Sequence, residues 1–454
     1  MKWLLRLFGR APPADAARAR PAPAGATGGR RPASRSAGAP SAGDAPSLPG
    51  GMQRRPLVGR QGRITGFEFV VGPALRQAWH GRADSAQAAS ALGGLLAAAA
   101  CAAAGGDGRS SLVVVDAAML EDAALRAAVP ASAGAGLMLA ALDRDPSPDA
   151  LAAWRARGVR VGLRDGPPAA RAQADFIVLL AADGGLDTLL ASADRWHRAR
   201  PGAPLVALGL AGVDEVEQVL AAGVTLAGGR LGGGDAANRP PPAGATGRLD
   251  PAAHRICELM NLLALDRDAA EVAEAFRRDA ALAYRVLRFA NSPALGLSRP
   301  AESIEQAIAL LGQRELQRWL GVLLLGCGRG RPASDAVQEH ALTRGFVLEE
   351  LARRAGEARP AALFTLGLLS QADRLLGVSL SAALQTLRLP PELPRALLEH
   401  DGPWAPYLAV ARALDGDDMA ALEAAAQPFG GAAQVLEAAT DAWQAATKMA
   451  SARR

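Results

Sequence analysis

Apolar positions along this chain change their period near residue 235. Between Arg54 and Gly234 they fall in short continuous runs: Pro56–Val58, Ile64–Val71, Leu112–Val115, Leu137–Ala140, Val159–Leu163, Phe176–Leu180, Leu205–Leu208 and Val224–Ala227. Strands buried on both faces read this way. The first two runs flank a Gly59-to-Gly62 turn and predict a hairpin. Ala-rich segments of helix length, around 84–103, 118–128, 148–157, 186–199 and 214–222, separate the others. This β–α alternation predicts a parallel sheet with helices outside it, either a (β/α) barrel of seven or eight units or a doubly wound sheet. About 180 residues is short for a barrel, whose usual length is about 250.

From Asp250 onward the period is helical. Asp268 and Asp279 are placed as N-caps, the latter for a helix with Leu282, Val286 and Phe289 on one face. Asn291-Ser292-Pro293 ends that helix through side-chain-to-backbone bonds. Ser303-Ile304-Glu305-Gln306 is a capping-box pattern, and Ile304, Ile308 and Leu311 form one face until Gly312 stops it. Leu316, Leu320 and Leu324 continue in a further helix, so the second half predicts an all-α domain. Gly-Gly-Arg-Leu-Gly-Gly-Gly and a Pro-rich run between 228 and 247 mark the break. The expected organisation is a tail over 1–53, an α/β domain over 54–234, a linker over 235–248 and a helical domain over 249–454.

Composition alters this picture in three places. The net charge of +5 belongs to the tail: residues 1–50 hold eight basic and two acidic side chains, and the remainder holds 42 and 43. A neutral globular part gives no reason to expect nucleic-acid binding. The tail beyond Ala11 is Pro, Ala, Gly, Ser and Arg, too poor in large apolar residues to fold. Met1–Arg10 places Lys2, Arg6 and Arg10 against Trp3, Leu4, Leu7 and Phe8, which reads equally as a short interfacial helix making weak membrane-surface contact or as a frayed terminus. Arg6 interrupts the apolar run of a signal peptide, and no stretch reaches the roughly 18 apolar residues of a membrane span, so a cytoplasmic location is expected. The three cysteines, Cys101, Cys257 and Cys327, have neither disulfide-scaffold nor metal-ligand spacing.

The acids near strand ends are Glu68, Asp116, Asp143 and Asp165. Four carboxylates on four strands are the material of a two-metal phosphodiesterase, but strand-end Asp residues also cap the following helix, and that is the expectation for Asp116 and Asp143. Glu68 in Gly66-Phe67-Glu68-Phe69, after Arg55-Pro56-Leu57-Val58 and a Gly turn, resembles the opening of an EAL domain, a family that hydrolyses cyclic di-GMP on a barrel with an antiparallel first strand. The resemblance implies that the signature glutamate is Glu68, that the next metal-binding glutamate falls at Ala140, and that the catalytic lysine falls at Val178. It implies that the Asp-Asp-Phe-Gly run is reduced to Arg164-Asp165-Gly166-Pro167, that the Asn before a Leu-capped helix is absent around Asp116, that Glu-Gly-Val-Glu becomes Leu208-Gly209-Leu210-Ala211, and that a late Gln becomes Gly228. Glu68, Arg164 and Asp165 are thus the remnant of a rim without a full ligand set. No activity and no metal or other cofactor is expected of it.

The stretch Arg278-Asp279-Ala280-Ala281-Leu282, Val286 through Ser292, Ser303 through Ile308 and Leu310-Leu311-Gly312 resembles the HDOD domain, a relative of the HD phosphohydrolases without their metal site. The resemblance puts the first His of the HD set at His340 and the His-Asp pair at Ser370-Gln371, where it is missing. His400-Asp401 is a His-Asp dipeptide, but Gly402-Pro403 follows at once, and a helix-terminal His is the simpler reading. His254 and Cys257, at i and i+3, are two potential ligands without partners. Together the motifs resemble bacterial EAL–HDOD signalling proteins: a degenerate EAL-type barrel followed by an all-α HDOD domain. The expected function is non-catalytic signal transduction, with the HDOD domain docking a protein partner. The alternatives are a cyclic di-GMP receptor with strand-end Arg residues, Arg164 first, aimed at the phosphates, and a weak cyclic di-GMP phosphodiesterase.

Overall fold

A computed structural model describes residues 52–80, 85–104, 108–130, 136–232, 248–265, 267–291, 300–328 and 331–451. The tail with Met1–Arg10, Ser292 and nearly all of the expected linker lie outside the described residues. Strands β1 (Met52–Gly59), β2 (Ile64–Val71), β3 (Ser110–Val115), β4 (Leu137–Ala141), β5 (Arg160–Arg164), β6 (Phe176–Leu180), β7 (Leu205–Leu210) and β8 (Leu226–Gly229) close into a barrel in chain order. β1 runs antiparallel to both β2 and β8, and every other pairing is parallel. The doubly wound alternative is thereby excluded.

The barrel is short because its connections are economical. A tight turn joins β1 to β2, and a single 3₁₀ turn, Pro168–Arg171, joins β5 to β6. The helices are α1 (Pro73–His80), α2 (Ser85–Ala104), α3 (Ala117–Glu121), α4 (Ala123–Ala128), α5 (Pro148–Arg155), α6 (Gly185–Ala199) and α7 (Val213–Ala221). All but α1 fall in the segments expected from the Ala-rich spacing. Leu57, Leu112, Met138, Ala140, Phe176, Val178, Val206 and Leu208 fill the barrel interior. Gly162 faces Phe176 there, and a Cβ at that position would overlap the aromatic ring.

The helical half comprises α8 (Pro251–Ala264), α9 (Ala269–Arg277), α10 (Ala280–Ala290), α11 (Ile304–Leu311), α12 (Gln313–Leu325), α13 (Ser334–Arg354), α14 (Pro360–Leu369), α15 (Ala372–Leu376), α16 (Leu380–Gln385), α17 (Glu392–Pro394), α18 (Ala405–Asp415), α19 (Met419–Ala426) and α20 (Ala432–Ser451). The expected caps form: Asp268 accepts from Glu271 N, Asp279 from Leu282 N and Ser303 from Gln306 N. Gln306 returns its bond to Glu302 N, one residue before the N-cap. Asn291 ends α10 and ties its amide to both backbone groups of Ala301 at 2.6 and 2.9 Å. Among the described residues, no helix is long and apolar enough to cross a membrane.

The two halves share one apolar core. A barrel strand is normally covered outside by the helix that follows it, but a hairpin has no crossover helix. The outer face of β1–β2 would therefore leave Val58, Phe67 and Phe69 bare. Helices α13, α18 and α20 cover it instead. Phe67 packs edge-on against Trp443 of α20 at 4.9 Å, and all three hairpin side chains are buried. Ion pairs rim this seam. Arg109 grips Glu339 through two bonds of 2.7 and 3.2 Å, Arg331 holds Asp214 and Glu217, Arg374 meets Asp214 at 2.7 Å, and Arg63 meets Asp335 at 2.9 Å.

The hairpin tip docks through backbone. Gly62, at φ 69°, accepts from Ala336 N at 3.1 Å, and a Cβ there would overlap the Pro332 carbonyl oxygen. We expect Gly62→Ala to lower stability by at least about 1–2 kcal/mol from the left-handed backbone alone, with more from the clash, measured as a drop in Tm by calorimetry.

Candidate functional site

Alternation along β2 sends Phe67 and Phe69 outward and Glu68 inward, at the rim where the parallel strands end. Glu68 is 4% exposed and accepts from Arg55 Nη2 of the neighbouring strand at 2.7 Å. Burial raises the Glu68 carboxyl above its usual range, Arg55 opposes this, and the nearby Asp417 adds to it. Asp417 comes from the helical half and pairs with Arg230 at 2.8 Å. Close by, the Gln53 amide donates to the carbonyls of Ala413, Leu414 and Gly416, satisfying the end of α18.

Each remaining strand-end acid has a local task. Asp165 turns toward α6 and accepts from Trp196 Nε1 at 2.7 Å, Arg195 Nη2 at 2.5 Å and Gly166 N at 2.7 Å. Burial alone would raise its carboxyl; the bonds from Trp196, Arg195 and Ser192 outweigh that and hold it low. Arg164 pairs with Asp183 in the turn after β6, and Arg171 donates to the Arg164 carbonyl at 2.7 Å. Asp116 corrects the capping expectation. It occupies the N-cap position of α3 without a side-chain cap bond, and meets His80 at 2.9 Å and Arg76 at 3.5 Å. The cap is supplied from β4's end, where Asp143 accepts from Ala117 N at 2.9 Å.

This rim does not fit a pair of divalent cations. A guanidinium occupies the inner side of Glu68, Asp165 faces away toward α6, and Ala140 and Val178 belong to the apolar filling of the barrel. Among the described residues, no group of three or more His, Cys, Asp or Glu side chains could hold a metal ion.

The helical half assembles a second polar cluster, buried at the seam. His340 of α13 meets Asp415 Oδ1 through Nε2 at 2.8 Å, and its Nδ1 lies 2.6 Å from the Gln371 amide. Arg344, one turn along α13, pairs with Asp415 Oδ2 and donates to Ser370 Oγ at 3.0 Å. His340 and Gln371 are thus in contact, and Ser370 joins the cluster through Arg344. Asp415 carries no sequence signal: it is one acid at the end of a helix, 75 positions from His340, and no spacing marks it. Burial would raise Asp415, but Arg344 and His340 hold it at about 2. Gly232, leaving β8, lies over this cluster, and a Cβ on it would overlap Arg344 and Asp415.

The other candidates are structural. His400 takes a left-handed conformation (φ 56°) at a helix end, with its Nδ1 2.6 Å from Arg412, while Asp401 pairs with Arg395. His254 is exposed beside Glu258 at 3.5 Å, whereas Cys257 is buried against Thr386.

A closed barrel with an antiparallel opening strand, followed by a helical domain, defines the class of this protein. Residues 249–385 match the HDOD domain, and a closed eight-stranded barrel precedes them. The protein YuxH of Bacillus subtilis (strain 168), described as uncharacterized, is 32% identical over 164 residues, 36% of this chain. The chain spans 40% of the length of that relative. Among solved structures, the PaMucR phosphodiesterase in complex with c-di-GMP is similar at 16% identity and a TM-score of 0.33, over 42% of this chain and 92% of its own. The EAL domain of Xanthomonas citri FimX in complex with c-di-GMP is similar at 15% identity and a TM-score of 0.33, over 39% and 84%.

Proposed function

We propose that this is a non-catalytic signal-transduction protein whose HDOD domain docks a protein partner and whose barrel serves as a scaffold. The observation that carries this reading is the Arg55–Glu68 ion pair: the acid best placed to ligate a cation already has a guanidinium at 2.7 Å. A second metal ligand and a base to activate water have no side chains to supply them at Ala140 and Val178, both fully buried and apolar. The docking half of the proposal draws on exposure. Among the described residues, the exposed large apolar side chains are Leu265, Tyr284 and Leu310, 44%, 65% and 51% exposed, and all lie in the HDOD segment.

The receptor reading has weaker support. Arg144, Arg164, Arg171 and Arg195 at the rim are each paired with a carboxylate, and a phosphate would have to displace those partners. The test is calorimetric titration of cyclic di-GMP into the full chain, with and without Mg²⁺. No heat from a folded sample is the expected result. Mg²⁺-dependent binding followed by loss of the nucleotide overturns the non-catalytic reading, and Mg²⁺-independent binding without turnover replaces it with the receptor.

A further inference from the structure

Helix α10 buries one face and leaves the other uncovered. Leu282, Val286 and Ala290 are buried, and Phe289 stacks on Trp319 of α12 at 5.4 Å, which fixes the rotation of the helix. Ala281, Tyr284, Arg285 and Arg288, at i, i+3, i+4 and i+7, therefore form one stripe, and all four are exposed. Tyr284 is the most exposed large side chain of apolar body among the described residues.

The charge of this stripe is uncompensated. Among the described residues, Arg285 and Arg288 make no hydrogen bond and no ion pair. Other arginines of the same half are engaged: Arg277, Arg318, Arg344, Arg354 and Arg359 each pair with a carboxylate. Residues 280–301 hold three arginines and no acid, so no neighbour along the helix neutralises the stripe. Asp279, the acid just before it, caps α10 and faces Arg255 at 3.8 Å.

The scale of this charge selects among anionic partners. Nucleic acids and anionic membranes spread their charge widely and are held by many cations at once. Here two arginines stand on a helix about 16 Å long, in a globular part whose basic and acidic residues number 42 and 43. Two guanidinium groups match two carboxylates, each through a bidentate pair. The tyrosine ring beside them supplies apolar contact, and Tyr with Arg is the composition that carries binding energy at protein interfaces.

We propose that this stripe of α10 is the docking surface of the HDOD domain and that it receives an acidic segment of a partner protein. Arg285 and Arg288 each take a carboxylate, and Tyr284 packs against an apolar side chain of the same segment. The proposal rests on the docking reading given above and adds its place and its chemistry.

The probe is a short fluorescein-labelled peptide of Glu and Leu, titrated into the full chain and followed by anisotropy. A counterpart peptide carries Gln for every Glu. The Glu peptide should bind, lose affinity as salt rises, and exceed the Gln peptide by about tenfold. Arg285→Gln/Arg288→Gln should weaken the Glu peptide by about tenfold with Tm unchanged, because both side chains are exposed. The tail is itself basic, so Arg30→Gln/Arg31→Gln is the control and should leave the affinity as it is. No binding of the Glu peptide overturns the proposal, as does undiminished binding by Arg285→Gln/Arg288→Gln. Equal weakening by both double variants also overturns it, since any pair of cations would then serve. Tighter binding of oligo(dT) or of phosphatidylglycerol vesicles, lost in Arg285→Gln/Arg288→Gln, replaces the acidic segment with a polyanion. The reading beneath fails separately: turnover of cyclic di-GMP overturns it whether or not the peptide binds.

Discussion

Phe67→Ala is expected to destabilise both domains together, by about 3–5 kcal/mol, in a single unfolding transition. Phe67 is 1% exposed, although it sits on the outer face of the barrel. It contacts Trp443 of α20 edge-on and carries Arg54 on its face. Truncation removes a large buried ring, opens a cavity at the seam and leaves the Arg54 cation without its π surface. The core on either side is continuous, so the loss is felt by both halves. Circular dichroism, which follows mainly the helical half, and Trp154 or Trp196 fluorescence, which follows the barrel, should report the same lowered midpoint. Two separate transitions, with only the barrel shifted, would show that the halves fold independently. The same reasoning predicts that residues 249–454 expressed alone aggregate, because the faces of α13, α18 and α20 that cover the hairpin would be exposed.

Asp415→Asn is expected to cost about 3–5 kcal/mol, the range for removing one partner of a buried ion pair. The variant keeps the size and loses the charge. Arg344 then remains buried with only neutral acceptors, Ser370 Oγ and one amide oxygen for which His340 competes. The pH dependence has a definite sign. The Asp415 carboxyl is held at about 2 in the folded chain, below its ordinary 3.8. Its contribution is therefore fully present above about pH 4 and is lost as the pH falls toward 2, amounting to about 2 kcal/mol. Acid titration of stability should show this loss in the wild type and its absence in Asp415→Asn. Equal acid profiles for the two chains would remove Asp415 from the account.

Much of the barrel was legible in the sequence because its signals are local. Buried strands read as apolar runs, and the Gly59–Gly62 turn forces a hairpin wherever it occurs. Caps at Asp268, Asp279 and Ser303 were readable for the same reason: a side chain bonding a backbone N–H three residues on depends on nothing distant. Asp116 shows the limit of that logic. It stands where a cap belongs, yet Asp143 from another strand makes the bond and Asp116 meets His80 and Arg76.

The sequence by itself determined the eight apolar runs and the change of period near residue 235. These follow from side-chain identity and short-range periodicity. Tertiary structure alone decided that the helical domain covers the bare face of the hairpin, that Arg55 neutralises Glu68, and that Asp415 joins His340 and Arg344 with Arg54 beside them. The physical reason is distance along the chain. Burial and electrostatic pairing act through a few ångströms of space, and the residues they join here are separated by up to several hundred positions with no period to relate them.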